Sequence, residues 1–219
     1  MVTLETVRED EQVKVFIDYA NQYLHALGYT EHSTRHATLV AETARNILDQ
    51  SDHPQRQCEL AAIAGYLHDI GNMIHRENHA QSGSIIAIEV LSRLGMTWDE
   101  CAVIANAIGN HEEERGYATT PVSAALNIAD KSDVHRSRVQ AESFDDFDIH
   151  DRVNYATTKR QVVVDAPGKT ISLELTIDTE FAQVIEYFEI FLHRMVMVKQ
   201  AAEFLGCHFR LVINGTTFS

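Results

Sequence analysis

Proline is almost missing from this chain, with three in 219 residues, and glycine is limited to ten. Both scarcities argue against a linker-rich or low-complexity protein and favour long, unbroken elements. Cysteine is equally sparse. Cys58, Cys101 and Cys207 are odd in number and far apart, so they read as small buried hydrophobes of a reducing compartment, with no disulfide framework. Long apolar runs are absent, because the longest clean one, Ala61 to Leu67, falls far below the roughly 20 residues of a membrane helix. Met1-Val2-Thr3-Leu4-Glu5 shows no basic segment followed by an apolar one, so a cytoplasmic location without a secretory leader is expected. Positive charge is also in short supply. Eighteen Lys and Arg against 32 Asp and Glu leave a formal net charge of −14, which argues against gripping a long nucleic acid. Such a chain can bind phosphate only where positive charge is concentrated locally, for instance by bound cations.

What the chain does contain is apolar material for one large domain, or a domain with a small appendage, and 12 histidines. Helical spacing and punctuation predict helices over about Arg8 to Leu27, Thr30 to Gln50, Asp52 to Gly71 and Asn78 to Leu94. A capping box from Thr97 to Glu100 opens a fifth helix that reaches Asn110, and Thr120-Pro121 opens a sixth that runs to Arg138. The texture then changes. Gln161 to Asp165, a turn at Ala166 to Lys169, and Thr170 to Ile177 read as a β-hairpin, followed by a helix from Thr179 to Leu205 and a strand from Cys207 to Ile213. The expected fold is mostly α, with a helical domain over residues 1–158 and a small C-terminal β-β-α-β extension over 159–219.

The chemistry centres on Tyr66-Leu67-His68-Asp69-Ile70-Gly71-Asn72. A His-Asp pair at the end of an apolar helix usually faces water. Neighbouring helical residues point about 100° apart, so both reach one metal only if it lies off the helix end. His36 upstream, His79 at the start of the fourth helix, His111 at the end of the fifth and Asp130 in the sixth change that reading. Asp130 lies in the apolar run Leu126-Asn127-Ile128-Ala129, where an unpaired carboxylate is costly unless a cation meets it.

In order, spacing and helical context, these residues over about 30 to 138 resemble the HD superfamily of metal-dependent phosphohydrolases. The resemblance implies that His36, His68, Asp69 and Asp130 hold one divalent ion, and that Asp69 bridges to a second held by His79 and His111. Two ions are preferred over one. Imidazole and carboxylate suit Mn, Fe, Co, Ni or Zn, whereas Mg and Ca prefer all-oxygen cages. The match to the HD-GYP branch is incomplete: the chain has Asn110-His111 where that branch pairs two histidines, and Gly116-Tyr117 is followed by Ala118. Many relatives carry Lys where this chain has Asn72, so a phosphate contact must come from elsewhere, such as Lys131 or Arg76.

The implied activity is hydrolysis of a phosphate ester or phosphoanhydride of a nucleotide or similar small molecule by metal-activated water. Asp69 and Lys131 are the candidate catalytic residues, and Lys131, Arg136 and Arg138 the candidate substrate contacts. Asp133 reads as an ordinary helix salt bridge, His32 as a further candidate ligand, and Glu112 to Glu114 as a solvated run in which one acid orients His111. The expected partner is a small phosphorylated substrate, with neither membrane nor long nucleic acid, and a homodimer is possible. The alternatives are a metal-containing regulatory module without turnover and a di-iron oxygenase of the same fold.

Overall fold

Asp10 divides what the periodicity presents as one N-terminal helix. α1 (Leu4–Glu9) ends there, and the Asp10 side chain accepts from the Val13 amide to cap α2 (Glu11–Ala26). The computed structural model describes residues 1–113, 116–141 and 143–218. The next helices arrive where expected with shifted ends: α3 (Thr34–Gln50), α4 (Gln55–Leu67), α5 (His79–Arg93), α6 (Trp98–Gly109) and α7 (Pro121–Lys131).

Three local expectations need correction. Thr97 makes no side-chain cap on α6, and the Glu100 carboxylate that would complete the box from its own side is in a two-bond pair with Arg56, 2.6 Å at each contact. α7 stops at Lys131 instead of reaching Arg138. Ser132 turns its hydroxyl back onto the Ala129 carbonyl, and Asp133 finds partners across the fold, so both favour leaving the helix. Arg136–Arg138 then form a separate 3-10 turn capped by His135. A short helix, α8 (Ile149–Ala156), capped by Asp148, occupies a stretch for which the periodicity offers no element.

α4 is the central rod. Every residue from Leu60 to Leu67 is buried, and the helix packs against α3, α6 and α7. Gly65 makes the α3 contact possible, since a Cβ there would lie 2.8 Å from the Ala41 Cα. A helix enclosed on all sides delivers whatever follows its last turn to the middle of the bundle.

The C-terminal part is a four-stranded sheet in the order β1-β2-β3-β4. β1 (Thr157–Asp165) pairs antiparallel with β2 (Thr170–Ile177), α9 (Val184–Phe204) crosses over to the parallel β3 (His208–Ile213), and β4 (Thr216–Phe218) returns antiparallel. The expected β-β-α-β is therefore extended by β4, and β1 begins at Thr157 instead of Gln161. Ile171, Leu173, Leu175 and Ile177 alternate into the core, and α9 covers β3 while packing on α7. Among the described residues no helix is long and apolar enough to cross a membrane.

Candidate metal centre

The end of α4 sets the geometry. His68 keeps helical backbone angles, Asp69 breaks them at φ −94 and ψ 1, and Ile70–Met73 continue as a 3-10 turn. Gly71 lets this turn press against the start of α5, for a Cβ there would sit 2.0 Å from the His79 carbonyl oxygen and 2.5 Å from the Gly83 nitrogen. Asn78, in the left-handed conformation at φ 58, then starts α5 so that His79 faces Asp69. His111 lies just past α6, Asp130 in the last turn of α7, and His36 in the first turn of α3.

Each of these four histidines has its Nδ1 proton fixed. His68 donates to the Gly65 carbonyl at 2.8 Å, His79 to Arg76 at 2.9 Å and His111 to Ile108 at 2.6 Å, always three residues back. His36 donates instead to the Asp133 carboxylate at 2.7 Å. Since a carbonyl or carboxylate can only accept, every Nδ1 carries its hydrogen and every neutral ring presents a bare Nε2 lone pair. Those lone pairs converge: the Nε2 atoms of His36 and His68 lie 3.3 Å apart, and those of His79 and His111 lie 3.1 Å apart. Lone pair against lone pair in a buried site is unfavourable unless a proton or a metal ion lies between them.

The carboxylates complete two adjoining sets. In the first, Asp130 Oδ1 lies 3.5 Å from both His36 and His68 Nε2, and Asp69 Oδ2 lies 3.7 and 3.2 Å from them. In the second, Asp69 Oδ1 lies 3.5 Å from His79 Nε2 and 3.8 Å from His111 Nε2. Metal bonds of about 2.0–2.2 Å at tetrahedral or octahedral angles put donor atoms about 3.0–3.5 Å apart, so the spacings and donor chemistry fit divalent ions. The sets are contiguous, because the donor atoms of His68, Asp69 and His111 also fall within 4.8 Å of one another. Asp69 offers one oxygen to each.

The carboxylates favour positive charge at the first set, whether a proton or a metal ion. Burial opposes charge on His68, yet the Asp69 and Asp130 carboxylates overcome it and raise its pKa to about 10. Burial, reinforced by His111, pushes His79 down to about 3. Burial alone would raise Asp69 and Asp130; His68, with Lys131 in the case of Asp130, holds both well below the usual carboxylate range.

Asn72 and Asp133 support the donors. Asn72 Nδ2 donates to Asp69 Oδ1 at 2.9 Å, and its oxygen accepts from Arg76 at 3.3 Å. The residue standing where many relatives carry Lys thus orients the shared carboxylate. Asp133 is buried, and besides His36 it meets Arg35 at 3.1 Å and Arg138 at 3.7 Å. Its other oxygen, Oδ1, has no hydrogen-bond partner among the described residues and faces Arg160 Nε of β1 at 3.9 Å. The expected helix salt bridge is therefore a hub joining α3, the 3-10 turn and the sheet.

The sets open into a cavity of about 570 Å³. Lys131 lines it, with Nζ 2.6 Å from Asp130 Oδ2 and 3.7 Å from Glu113. Arg138 also lines it, but its guanidinium is committed to the Asp133 and Glu31 carbonyls and to His32 Nε2 at 3.0 Å. His32 accordingly stands 3.9 Å from Asp69 with its lone pair occupied. Arg136 is not brought to the cavity. It is exposed and lies over the Tyr155 ring, 5.2 Å from its centroid, because α7 ends before reaching it. Of the acidic run, Glu112 approaches His79 Nδ1 at 4.0 Å, Glu113 pairs with cations, and Glu114 lies outside the described residues. Sequence reasoning missed Arg194 of α9 and His150 of α8, both on the cavity wall, since neither belongs to any spacing pattern.

Residues 29–135 match the family model described as HD domain, so this stretch of the chain is an HD domain. Both donor sets fall within that match, whereas Arg160 and Arg194 fall beyond it. Among curated proteins, the chain is similar to the uncharacterized protein MJ1020 of Methanocaldococcus jannaschii, at 24% identity over 196 residues covering 78% of this chain and 74% of the relative.

Proposed function

We propose that this protein is a metal-dependent phosphohydrolase acting on a small phosphorylated molecule, a nucleotide by preference, with two divalent transition ions as cofactors. One observation carries the reading: four imidazoles with Nδ1 protons fixed turn their lone pairs toward two carboxylates, with His79, His111, Asp69 and Asp130 on the cavity wall and His36 and His68 buried behind them. His36, His68, Asp69 and Asp130 would hold one ion, and Asp69, His79 and His111 the other. Divalent ions in such a donor set acidify water, neutralise phosphoryl oxygens and supply the positive charge that a chain of net charge −14 otherwise lacks.

The chain's own residues do the rest. Asp133 and the three backbone carbonyls hold each imidazole in the tautomer that can ligate, and Asn72 does the same for the shared carboxylate. Lys131, beside Asp130, is placed to pair with a phosphate oxygen. Tyr29 gives the cavity wall an exposed aromatic ring suited to a base or sugar, which favours a nucleotide over inorganic phosphate.

The test is hydrolysis of a panel of mono-, di- and cyclic nucleotides by protein loaded with Mn, Fe, Co or Ni. Turnover abolished by chelation and by Asp69→Ala is expected. Turnover indifferent to both refutes the assignment, and tight ligand binding without product under every metal would make the chain a regulatory module instead.

A further inference from the structure

Four contacts lead away from the first donor set toward the cavity mouth and end on a residue outside the matched domain. Asp130 Oδ2 accepts from Lys131 Nζ at 2.6 Å, Lys131 lies 3.7 Å from Glu113 Oε1, and Glu113 Oε1 accepts from Arg194 Nε at 2.6 Å. Arg194 in turn lies over Phe191, its guanidinium carbon 4.4 Å from the ring centroid. Phe191 is buried, so its ring backs a guanidinium that lines the cavity. Only its Nε is engaged. Its two Nη groups, a fork suited to a planar or phosphoryl anion, hydrogen-bond to nothing among the described residues.

Glu113 is the odd member of this chain. It is a carboxylate set between two cations at the entrance to a pocket that otherwise has to attract phosphate. It rests where an anion from a ligand would be most strongly stabilised, and its neighbours Glu112, Asp148 and Asp151 on the same wall give it no electrostatic support.

We infer that Lys131 and Arg194 form a distal anion subsite, occupied by Glu113 when the cavity is empty, and that the ligand carries a second anionic group, phosphate or carboxylate, beyond the one at the donor sets. This rests on the phosphohydrolase reading only for where the first phosphate lies. On binding, the second group takes over the Lys131 and Arg194 contacts and Glu113 swings to solvent. No covalent step is involved. Arg194 is a specificity residue contributed by α9, so the extension chooses among ligands that the helical domain alone would treat alike.

The test compares three hydrolysis-resistant probes on the metal-loaded full chain by isothermal titration calorimetry: methylphosphonate, with one anionic group, methylenediphosphonate, with two linked phosphonates, and phosphonoacetate, with a phosphonate and a carboxylate. Metal content is checked after each titration. Arg194→Gln is expected to weaken at least one two-group probe about tenfold and to leave methylphosphonate within about twofold, with Arg194→Lys restoring part of the loss. Whichever two-group probe responds identifies the second anion as phosphate or carboxylate. Glu113→Gln is expected to tighten that probe about three- to tenfold. Equal effects of Arg194→Gln on all three probes, or a Glu113→Gln variant that binds more weakly, overturn the inference. Because the readout is binding, a protein that hydrolyses nothing but shows this discrimination would refute the proposed activity and leave the subsite standing.

Discussion

Replacing Asp133 by Asn isolates the part that a non-ligating carboxylate plays in the metal centre. Asp133 is buried, and it alone among the four partners of the imidazole Nδ1 groups is charged. The amide oxygen of Asn can still accept from His36, so the ring keeps its tautomer but loses the 2.7 Å charge-assisted bond that makes Nε2 a stronger donor. Such outer contacts are worth about 10- to 100-fold in metal affinity, or roughly 1.4–2.7 kcal/mol. The loss should fall on one ion only. His36 belongs to the set with His68 and Asp130, while His79 and His111 have carbonyl partners that the change leaves alone. A stability cost of about 1–3 kcal/mol is also expected, because Arg35, Arg138 and Arg160 lose a shared counter-charge. Equilibrium dialysis against Co(II) followed by elemental analysis, with a thermal melt to confirm folding, separates the two ions. Affinity for both within about threefold of the parent, or equal weakening of both, would show that Asp133 does not act through His36.

Further outcomes follow from the same geometry. Asp69→Ala, which removes a donor from both sets, should abolish stoichiometric binding of both ions, whereas His111→Ala should leave one; two ions retained by Asp69→Ala would contradict a shared carboxylate. Gly71→Ala forces a Cβ to within 2.0 Å of the His79 carbonyl and should cost about 3 kcal/mol, seen as a fall in Tm of about 6–12 °C; a change below about 2 °C would deny the close approach. Lys131→Ala should lower kcat/KM about tenfold while Arg136→Ala changes it less than about twofold, and the reverse order would return Arg136 to the cavity.

The helices were legible because apolar spacing and caps act locally. Thr120 before Pro121 opens α7 as expected, with a capping box closed by Ser123, and Gly28, Gly95 and Gly206 follow helices in the left-handed conformation. The misreadings share a cause. Glu100 abandoned Thr97 for Arg56, and Asp133 left α7 for His36, Arg35 and Arg138, in each case because a distant partner outweighed a local preference. The six candidate ligands came from the resemblance to the HD superfamily, and the fold brings all six together. Their supporting contacts were not readable, since Gly65, Arg76 and Ile108 act through backbone carbonyls that any residue possesses. Arg194 was invisible for a different reason: a single cation on an amphipathic helix has no periodicity of its own.

Arg160 and Arg194 meet the centre through different contacts. The first, on β1, stands behind His36 through Asp133, and the second, on α9, guards the front of the cavity. The sheet and its helix therefore reach the bundle at two separate places, one behind a ligand and one on the cavity wall. A descendant that exchanged this tail for another fold would inherit the six ligands but would have to reinvent both the brace and the doorway, so the tail and the bundle are bound to change together.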